Sequence, residues 1–381
     1  MRHTREHIEA WLMLHLAPGF GGVTCQKLVD HFGSPQQVLS ANHSQLKEAS
    51  SRLRKESVEA LCGAGKEMLA LAARQELDRA KELGIKIITI DEPCYPAPLK
   101  NIHDPPPVLY VLGDPKMLDC RGIAMVGSRA ATHYGRSVAA QLAEGLVKKG
   151  FTIISGLALG IDTESHKGAL AADGRTIAVL GCGLDVIYPP SNHLLYKEIA
   201  SSGAVVSEYP LGTQPDNFRF PARNRIISGL SLGVVVVEAT KRSGSLITAN
   251  HALEQGREVF AVPGRIDSMK STGSHTLLQE GAKLVFNIND ITEEIVPAMQ
   301  IQPGTDLPLA EKNSANVEGL SPEEEKIYGF LDVYPSSIDE IIRQSGFAPQ
   351  KANELLLLLE LKGVIESLPG KSYQKSSSLA S

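Results

Sequence analysis

The chain has 381 residues, which exceeds the length at which a single hydrophobic core usually stops growing, so we expect two or three domains. Hydrophobic residues make up 43% and charged residues 21% of the sequence, a balance that excludes disorder over most of the chain. The formal net charge of −5 excludes a uniformly basic surface, so any site for a polyanion has to be a local basic patch.

Neither export nor membrane insertion is expected from the sequence. The N-terminal stretch MRHTREHIEAWLMLHLAPG lacks the long apolar segment and the small-residue cleavage site of a signal peptide. Apolar runs such as VVVV at 234–237 are far shorter than the roughly 20 residues that cross a bilayer. The five cysteines are widely spaced and include no C-x-x-C pair, so we expect reduced thiols. We therefore expect a cytoplasmic protein without a metal site.

Residues 1–84 predict an all-helical domain, because apolar positions recur at spacings of three and four residues. Within it, the segment LAPGFGGVTCQKLVDHFG indicates two helices joined by a glycine-rich turn, a helix-hairpin-helix arrangement. Such a hairpin offers backbone amides to DNA phosphate in some proteins, whereas in others it is only a packing module. The sequence leaves both interpretations open.

Residues 85–298 predict an extended Rossmann-like α/β domain. Two β-rich runs within 85–112 are expected as edge structure at its beginning. From 123 onward, strands that are apolar throughout alternate with helices, a pattern typical of a parallel sheet covered on both faces. We therefore predict a doubly wound, mostly parallel sheet.

Glycine-rich turns follow the first two of these strands, at the place where open α/β sheets bind ligands. In the first turn, Gly127 lets the backbone approach a ligand, Ser128 offers a hydroxyl group, and Arg129 can hold a phosphate. A tight turn with a solvated arginine is the alternative. The second turn repeats the glycine pattern, and Lys167 lies one to two turns into the following helix.

Asp162 and His166 lie four residues apart on that helix and are candidates for an acid–base pair. We interpret Asp162 as a helix N-cap and His166 as a packing residue, because no nucleophile or third ligand has a defined position relative to them. The next glycine-rich turn fails the G-x-G-x-x-G pattern at Val186, which disfavours dinucleotide binding. No catalytic residue and no cofactor is predicted.

The segment EYPLGTQPDNFRFPARNRIISGLS interleaves aromatic and basic side chains. Single-stranded nucleic acid requires this combination, because exposed bases stack on aromatic rings while arginines contact phosphates. The predicted contact residues are Phe218, Phe220, Arg223, Asn224 and Arg225. The alternative is that both phenylalanines belong to the core and that the arginines cap or bridge structural elements.

A further anion-binding turn precedes the helix that begins near 245. Its candidate residues are Lys241, Arg242, Ser243 and Ser245. Residues 212–270 contain eight Lys or Arg and five Asp or Glu, a net of +3 on an acidic chain. This segment supplies the local basic patch that a polyanion site needs.

Three segments complete the chain. Residues 299–319 are polar and rich in Pro and Asn, which predicts a linker. Residues 320–370 predict three short helices followed by a β-hairpin, the order of a winged helix. Residues 371–381 are predicted to be a disordered tail.

The last predicted helix, near 349–362, is dominated by leucine and has Lys351 and Lys362 as its basic residues. A helix that reads the major groove usually carries Arg, Asn or Gln near its N-terminus. Gln350 and Asn353 keep that function open, but we favour a protein-interaction or regulatory module.

Six motifs within 123–264 resemble the DprA/Smf (DNA-processing protein A) family in their order and spacing. They are GSRAATHYG, SGLALGID, GCGLDVIYPPSN, FPARNRIISGLS, SGSLITA and VFAVPG. The resemblance implies a protein without enzymatic activity that binds single-stranded DNA during natural transformation, protects it and loads the RecA recombinase onto it. It places the DNA at the carboxyl edge of the sheet, on Gly127, Ser128, Arg129, Lys167, Arg223, Asn224, Arg225, Ser243 and Ser245.

The resemblance also implies a homodimer, formed through the last part of the Rossmann-like domain. The corresponding segment here is SHTLLQEGAKLV, and its candidate interface residues are His275, Leu278 and Leu284. A dimer would place two binding sites on one strand of DNA and increase the effective concentration.

Two other functions remain open. Phosphoribohydrolases with a related fold cleave nucleotides with a P-G-G-x-G-T-x-x-E loop, but the turn RSGSLITAN has no evident counterpart of its glutamate. A module that binds a small nucleotide would use the same phosphate-binding turns without cleavage.

Overall fold

The computed structural model describes residues 4–50, 53–298, 320–331, 336–368 and 372–375. The chain divides into two compact units, the larger within 1–131 and 138–301 and the smaller within 132–137 and 302–381. Among the described residues, no helix is both long and apolar enough to span a bilayer.

Helices form the N-terminal part of the larger unit. They are α1 (Arg5–Leu16), α2 (Gly22–Phe32), α3 (Pro35–Ser40), α4 (His43–Ala49), α5 (Lys55–Ala60) and α6 (Gly63–Glu82). Local capping fixes where two of them begin, since Ser34 accepts the Gln37 amide at α3 and Asn42 forms a capping box with Gln45 at α4. Trp11 on α1 is buried in the core beneath them.

The glycine-rich turn before α2 packs against the rest of the larger unit. The amide of Val23 donates a hydrogen bond to Asp104 Oδ1 at 3.1 Å. A Cβ atom at Gly22 would lie 2.5 Å from both Asp104 Oδ1 and the carbonyl oxygen of Pro105, so only glycine fits there. The turn therefore packs against the protein through Asp104 and Pro105, and a DNA contact by this hairpin stays a prediction.

A nine-stranded sheet forms the centre of the larger unit. Its strands are β1 (Lys86–Thr89), β2 (Val108–Gly113), β3 (Gly122–Val126), β4 (Thr152–Ser155), β5 (Thr176–Leu180), β6 (Ala204–Ser207), β7 (Gly233–Val236), β8 (Glu258–Ala261) and β9 (Lys283–Leu284). Their order is β1-β2-β6-β5-β4-β3-β7-β8-β9. In this spatial order, all neighbouring strands from β6 through β5, β4, β3, β7 and β8 to β9 pair parallel. Strand β2 pairs antiparallel with both β1 and β6.

Helices connect these strands. They are α7 (Ala97–Lys100), α8 (His133–Lys148), α9 (Ile161–Ala171), α10 (His193–Ser202), α11 (Arg219–Gly229), α12 (Ser245–Glu254), α13 (Thr272–Gln279) and α14 (Asn289–Ala298), with 3-10 turns at Pro115–Leu118, Pro190–Asn192 and Met269–Ser271. Alternate residues of β3 enter different cores: Ala124 and Val126 pack in the core that contains Trp11, and Ile123 and Met125 pack in the other. Both faces are therefore covered, which confirms the predicted doubly wound fold.

The smaller unit contains a winged helix. Its elements are α15 (Pro322–Phe330), β10 (Ser336–Ser337), α16 (Ile338–Ser345), α17 (Pro349–Leu361), β11 (Ile365–Leu368) and β12 (Ser372–Lys375). The strands form an antiparallel sheet in the order β10-β12-β11. Ile327, Ile341 and Leu356 are buried between the helices.

One predicted boundary in this unit was wrong. Strand β12 lies within 371–381, which was predicted to be a disordered tail, because its backbone pairs with both β10 and β11. The rest of that tail, 376–381, and the predicted linker, 299–319, lie outside the described residues. On α17, Leu357 and Leu361 are exposed, so its use in protein interaction stays a prediction.

Candidate functional site

A cavity of about 320 Å³ lies at the carboxyl ends of β3 and β7. The chain proceeds from β3 through β4, β5 and β6 on one side and returns as β7 on the other, so the strand order reverses here. Open α/β sheets bind ligands at such a point, because the turns that leave the strands diverge. The cavity brings together Gly127, Ser128, Arg129, Phe220, Arg223, Asn224, Ser243 and Ser245.

Close backbone contacts hold the turn after β3. A Cβ atom at Gly127 would lie 2.9 Å from the carbonyl oxygen of Glu238, which in turn accepts the Ser128 amide at 2.7 Å. Gly160 has a φ of +79°, and a Cβ atom there would collide with the carbonyl oxygen of Ser128. Glycine is therefore required at both positions to join the turns after β3, β4 and β7.

The start of α12 provides uncharged donors at the cavity. Ser243 Oγ and Ser245 Oγ lie 2.7 Å apart, and both residues line the wall together with Gly244. The side-chain amide of Asn224 donates to the carbonyl oxygen of Gly244 at 3.3 Å, which ties α11 to this turn. Most backbone amides of the first helical turn donate to oxygens of the preceding turn, so the two hydroxyls and the positive partial charge of the helix start are the features that suit an anion.

Arg223 forms part of the cavity wall, but it also supports the structure. Its side chain is 4% exposed, and Nη1 donates to the carbonyl oxygens of Gly156 and Val179, the former at 3.0 Å. Burial lowers the pKa of its guanidinium to about 10, which still leaves the group charged at neutral pH. Arg223 therefore fixes the ends of β4 and β5 while it contributes positive charge to the cavity.

The prediction that Asp162 is a helix N-cap was wrong. The N-cap of α9 is Gly160, and Asp162 lies in the first turn of the helix. Its Oδ2 atom accepts the amides of Gly156 at 3.2 Å and Ala158 at 3.3 Å, and the residue lines the cavity. Burial raises the pKa of this carboxyl to about 6, although the nearby Arg223 and the two amides favour the charged form.

An aromatic pair stands beside an exposed arginine. The guanidinium carbon of Arg129 lies 5.1 Å from the centre of the Phe220 ring, a cation–π contact. Phe220 also stacks on Tyr188, with ring centres 5.5 Å apart and planes at 27°. Sequence reasoning missed Tyr188, although an aromatic residue in the glycine- and proline-rich turn after β5 was a signal for it.

Phe218 lies outside the cavity lining but is accessible. Its side chain is 65% exposed, and the guanidinium carbon of Arg219 lies 4.9 Å from its ring centre. The interpretation that both phenylalanines are core residues therefore fails for Phe218. This ring is available for stacking next to the cavity.

The structure does not bring Arg225 to the cavity. Its guanidinium makes two hydrogen bonds to Glu208, at 2.6 and 2.8 Å, and Nε lies 3.3 Å from Asp104 Oδ2. These carboxylates raise its pKa despite burial. The prediction of a phosphate contact is not supported here, because two carboxylates already neutralise this arginine.

Three other predicted cations are exposed and lie outside the cavity lining. Lys167 forms an ion pair with Glu164 at 3.2 Å on α9. Lys241 and Arg242 lie in the turn between β7 and α12. Among the described residues, no cluster of three or more His, Cys, Asp or Glu is arranged to hold a metal ion.

Comparison with known sequences identifies the family. Residues 86–296, which include every residue of the cavity, match the sequence profile described as DNA recombination-mediator protein A. The chain belongs to this family. Residues 311–371 match the profile of the DprA winged helix domain, so both parts of the predicted resemblance are confirmed.

Named relatives of this family align with most of the chain. Protein Smf of Synechocystis is 36% identical, and the alignment covers 96% of this chain and 98% of that protein. Protein Smf of Escherichia coli is 41% identical over 74% of this chain and 76% of that protein. DNA processing protein DprA of Bacillus subtilis is 47% identical over 58% of this chain and 75% of that protein. The name of the Bacillus relative describes DNA processing.

Two solved structures of the DNA recombination-mediator protein A family have the same fold. DNA processing protein A of Streptococcus pneumoniae has a TM-score of 0.64 at 36% identity, covering 77% of this chain and 99% of that one. The Helicobacter pylori protein has a TM-score of 0.51 at 35% identity, covering 56% of this chain and 97% of that one. The latter structure concerns the single-stranded DNA binding mode of the Helicobacter protein.

The predicted interface residues lie at the far edge of the sheet, on α13 and β9. Leu284 is exposed, Leu278 is partly buried, and His275 Nε2 lies 3.1 Å from the carbonyl oxygen of Gly264. Sequence reasoning missed the largest apolar side chains of this region. They are Ile266 at 94%, Met269 at 75% and Phe286 at 80% exposure.

Proposed function

We propose that the protein is a non-enzymatic single-stranded-DNA-binding recombination mediator. In this function it protects incoming DNA and loads the RecA recombinase onto it during natural transformation, acting in the cytoplasm as a homodimer. The observation that supports DNA binding best is the cavity at β3 and β7, where Ser243, Ser245 and Arg129 stand beside an aromatic pair. The Helicobacter relative with a single-stranded DNA binding mode supports the same choice of ligand.

The layout of the cavity favours a single strand over a duplex. The hydroxyl groups and the positive partial charge at the start of α12 suit a phosphate group, and the exposed Arg129 adds a charge-assisted contact. Phe218 offers a ring face to a base, which only an unpaired strand presents. A volume of about 320 Å³ lies at the lower end of the range of small-ligand sites and accepts part of a strand at a time.

The chemistry of the lining favours binding over hydrolysis. Among its described residues the cavity is lined by three ionisable side chains, which are Arg129, Asp162 and Arg223. The hydroxyls of Ser243 and Ser245 bond to each other, the lining contains no histidine or lysine among the described residues, and its carboxylate, Asp162, accepts two backbone amides and makes no hydrogen bond with either hydroxyl. An activated nucleophile would need such a base.

The proposed homodimer forms through the apolar edge beyond β8. Leu284 lies on the edge strand β9, and Phe286 follows two residues later. Leu284 and Phe286 at this edge are exposed in the single chain, and so are Ile266 and Met269 in the segment between β8 and α13. Covering them with a second copy would remove apolar surface from water and place two cavities on one strand.

The test is a fluorescence-anisotropy titration with a labelled single strand and with its duplex, over a series of salt concentrations. We expect preferential, salt-sensitive binding of the single strand. Equal binding of both forms, or of neither, would contradict the proposal. In the latter case, a melting shift with mononucleotides would support the nucleotide-binding alternative. RecA filament formation on DNA coated with single-strand-binding protein, with and without this protein, tests the loading step separately.

A further inference from the structure

One oxygen of the buried Asp162 carboxylate is left without a protein partner. The side chain is 7% exposed and lines the cavity. Oδ2 accepts the amides of Gly156 and Ala158, whereas Oδ1 accepts no hydrogen bond from any residue that the structure describes. Among those residues, Asp162 is also the single carboxylate in the cavity lining.

The buried guanidinium of Arg223 balances part of the Asp162 charge, but it makes no hydrogen bond to this carboxylate. Phosphate binding gives no further reason for the charge. A carboxylate in an anion site repels the phosphate, and burial of Asp162 already disfavours its charged form, as its raised pKa shows. Support of the loop at Gly156 and Ala158 needs only one acceptor oxygen, which an asparagine amide would supply without charge. The second oxygen therefore calls for a ligand that donates a hydrogen bond.

The bases of a single strand carry such donors, and they differ in how they present them. At its Watson–Crick edge, guanine has two adjacent N–H groups, at N1 and at the exocyclic N2. Thymine has one N–H between two carbonyl oxygens, and adenine and cytosine each have an amine beside a ring-nitrogen lone pair. A negatively charged oxygen is attracted by adjacent donors and repelled by adjacent lone pairs, so guanine fits it best.

We propose that Oδ1 of Asp162 accepts a hydrogen bond from the Watson–Crick edge of a base in the cavity, with guanine preferred. The inference rests on the proposed single-stranded-DNA function and adds a base contact to it. Phe220 lines the same cavity and supplies an aromatic ring close to that base. A duplex hides this edge in base pairing, so the contact also contributes to discrimination against duplex DNA.

The decisive variant is Asp162→Asn, measured by anisotropy with two short oligonucleotides, oligo(dC) and oligo(dC) with one central guanine. The asparagine oxygen still accepts the two loop amides, while its NH2 group puts donors where Oδ1 accepted. We expect the wild-type protein to bind the guanine-containing strand about tenfold more tightly, the ratio for one hydrogen bond to a charged group. We expect Asp162→Asn to abolish this ratio, and we expect binding of oligo(dC) to be at least as tight as in the wild-type protein, because the substitution removes a negative charge from the anion site.

Ser243→Ala is the matched control, because Ser243 lines the same cavity but is assigned to phosphate. It should weaken binding of both oligonucleotides by the same factor. An equal change of both affinities in Asp162→Asn would contradict the proposal and mark Asp162 as a loop support. Failure of the wild-type protein to bind either single strand would instead reject the proposed function itself.

A probe on the DNA side keeps the test independent of how the variant folds. Replacing the central guanine by 2-aminopurine removes the N1–H donor and leaves a lone pair in its place. With wild-type protein, the tenfold preference should disappear with this probe. Retention of the preference would overturn the assignment.

Discussion

Replacing Arg129 by alanine should reduce DNA affinity and leave folding stability nearly unchanged. The side chain is exposed at the cavity, and its cation–π contact with Phe220 leaves its hydrogen-bond donors available to a phosphate. Removing one phosphate contact on a single strand lowers the slope of log affinity against log salt by about 0.7. Loss of a charge-assisted hydrogen bond weakens binding about 10- to 100-fold. A surface substitution of this kind changes the free energy of unfolding by about 0.5 kcal/mol or less.

Arg225→Ala is the matched variant, and it should show the opposite effects. The side chain is 13% exposed, and Glu208, with which it makes two hydrogen bonds, is 14% exposed. Removing the guanidinium leaves Glu208 as an unpaired, largely buried carboxylate. Breaking a buried pair in this way reduces the free energy of unfolding by about 3–5 kcal/mol. The salt slope should stay at its wild-type value, because this arginine contacts carboxylates of the protein rather than phosphate.

Both quantities are measured on each variant, with anisotropy titrations over a salt series and urea unfolding followed by circular dichroism. Titrations are made at a temperature where Arg225→Ala is still folded. The reasoning is refuted if Arg225→Ala flattens the slope by about 0.7 at wild-type stability, since the ion pair would then open to bind DNA. It is equally refuted if Arg129→Ala leaves both slope and affinity unchanged.

Three further predictions concern strain, titration and assembly. Gly150→Ala should lower the free energy of unfolding by about 1–2 kcal/mol, because Gly150 has a positive φ. Gly160→Ala should lower it by more, because its Cβ atom would also collide with a carbonyl oxygen. Urea unfolding of the two variants measures the difference. Burial lowers the pKa of His166 from 6.5 to about 3, so its contribution to stability is present above pH 6.5 and is lost towards pH 3. Urea unfolding of His166→Gln should therefore lack this acid dependence. Asp162 makes the opposite contribution, but it is present in both proteins and cancels when the variant is compared with the wild type. Leu284→Glu should yield a monomer in sedimentation equilibrium without loss of helical signal, and an unchanged mass would reject the proposed edge.

The central sheet could be predicted because its signal is local. Strands β3 to β8 are buried along almost their whole length, so each one is an uninterrupted apolar run. The position of β2 between β1 and β6 could not be predicted, since it depends on pairing with a strand about ninety residues later in the chain. The hairpin of β11 and β12 could be predicted for the opposite reason, since its strands are neighbours in the chain, whereas the pairing of β12 with the earlier strand β10 could not.

The site was predictable up to the point where side-chain direction matters. Glycine-rich turns after parallel strands indicate a ligand edge on topology alone, and the cavity lies there. Arg223 and Arg225, however, lie on one helix two residues apart, which separates their directions by about 200°. One therefore points to the cavity and the other to Glu208. The two arginines were predicted together because the prediction considered their charge and spacing in the sequence, and not the direction of each side chain around the helix.

The proposed DNA site contains few cations that can contact phosphate directly. Among the described lining residues, Arg129 is the cation that is exposed, because Arg223 is engaged with backbone carbonyls. The remaining donors are the hydroxyls of Ser243 and Ser245, and uncharged donors of this kind would hold a phosphate without neutralising its charge, so that few counterions leave the DNA. A single site of this kind gives a shallow salt dependence and modest affinity. In the proposed homodimer, two such sites on one strand would multiply that affinity through effective concentration, which would offset the low charge of each cavity.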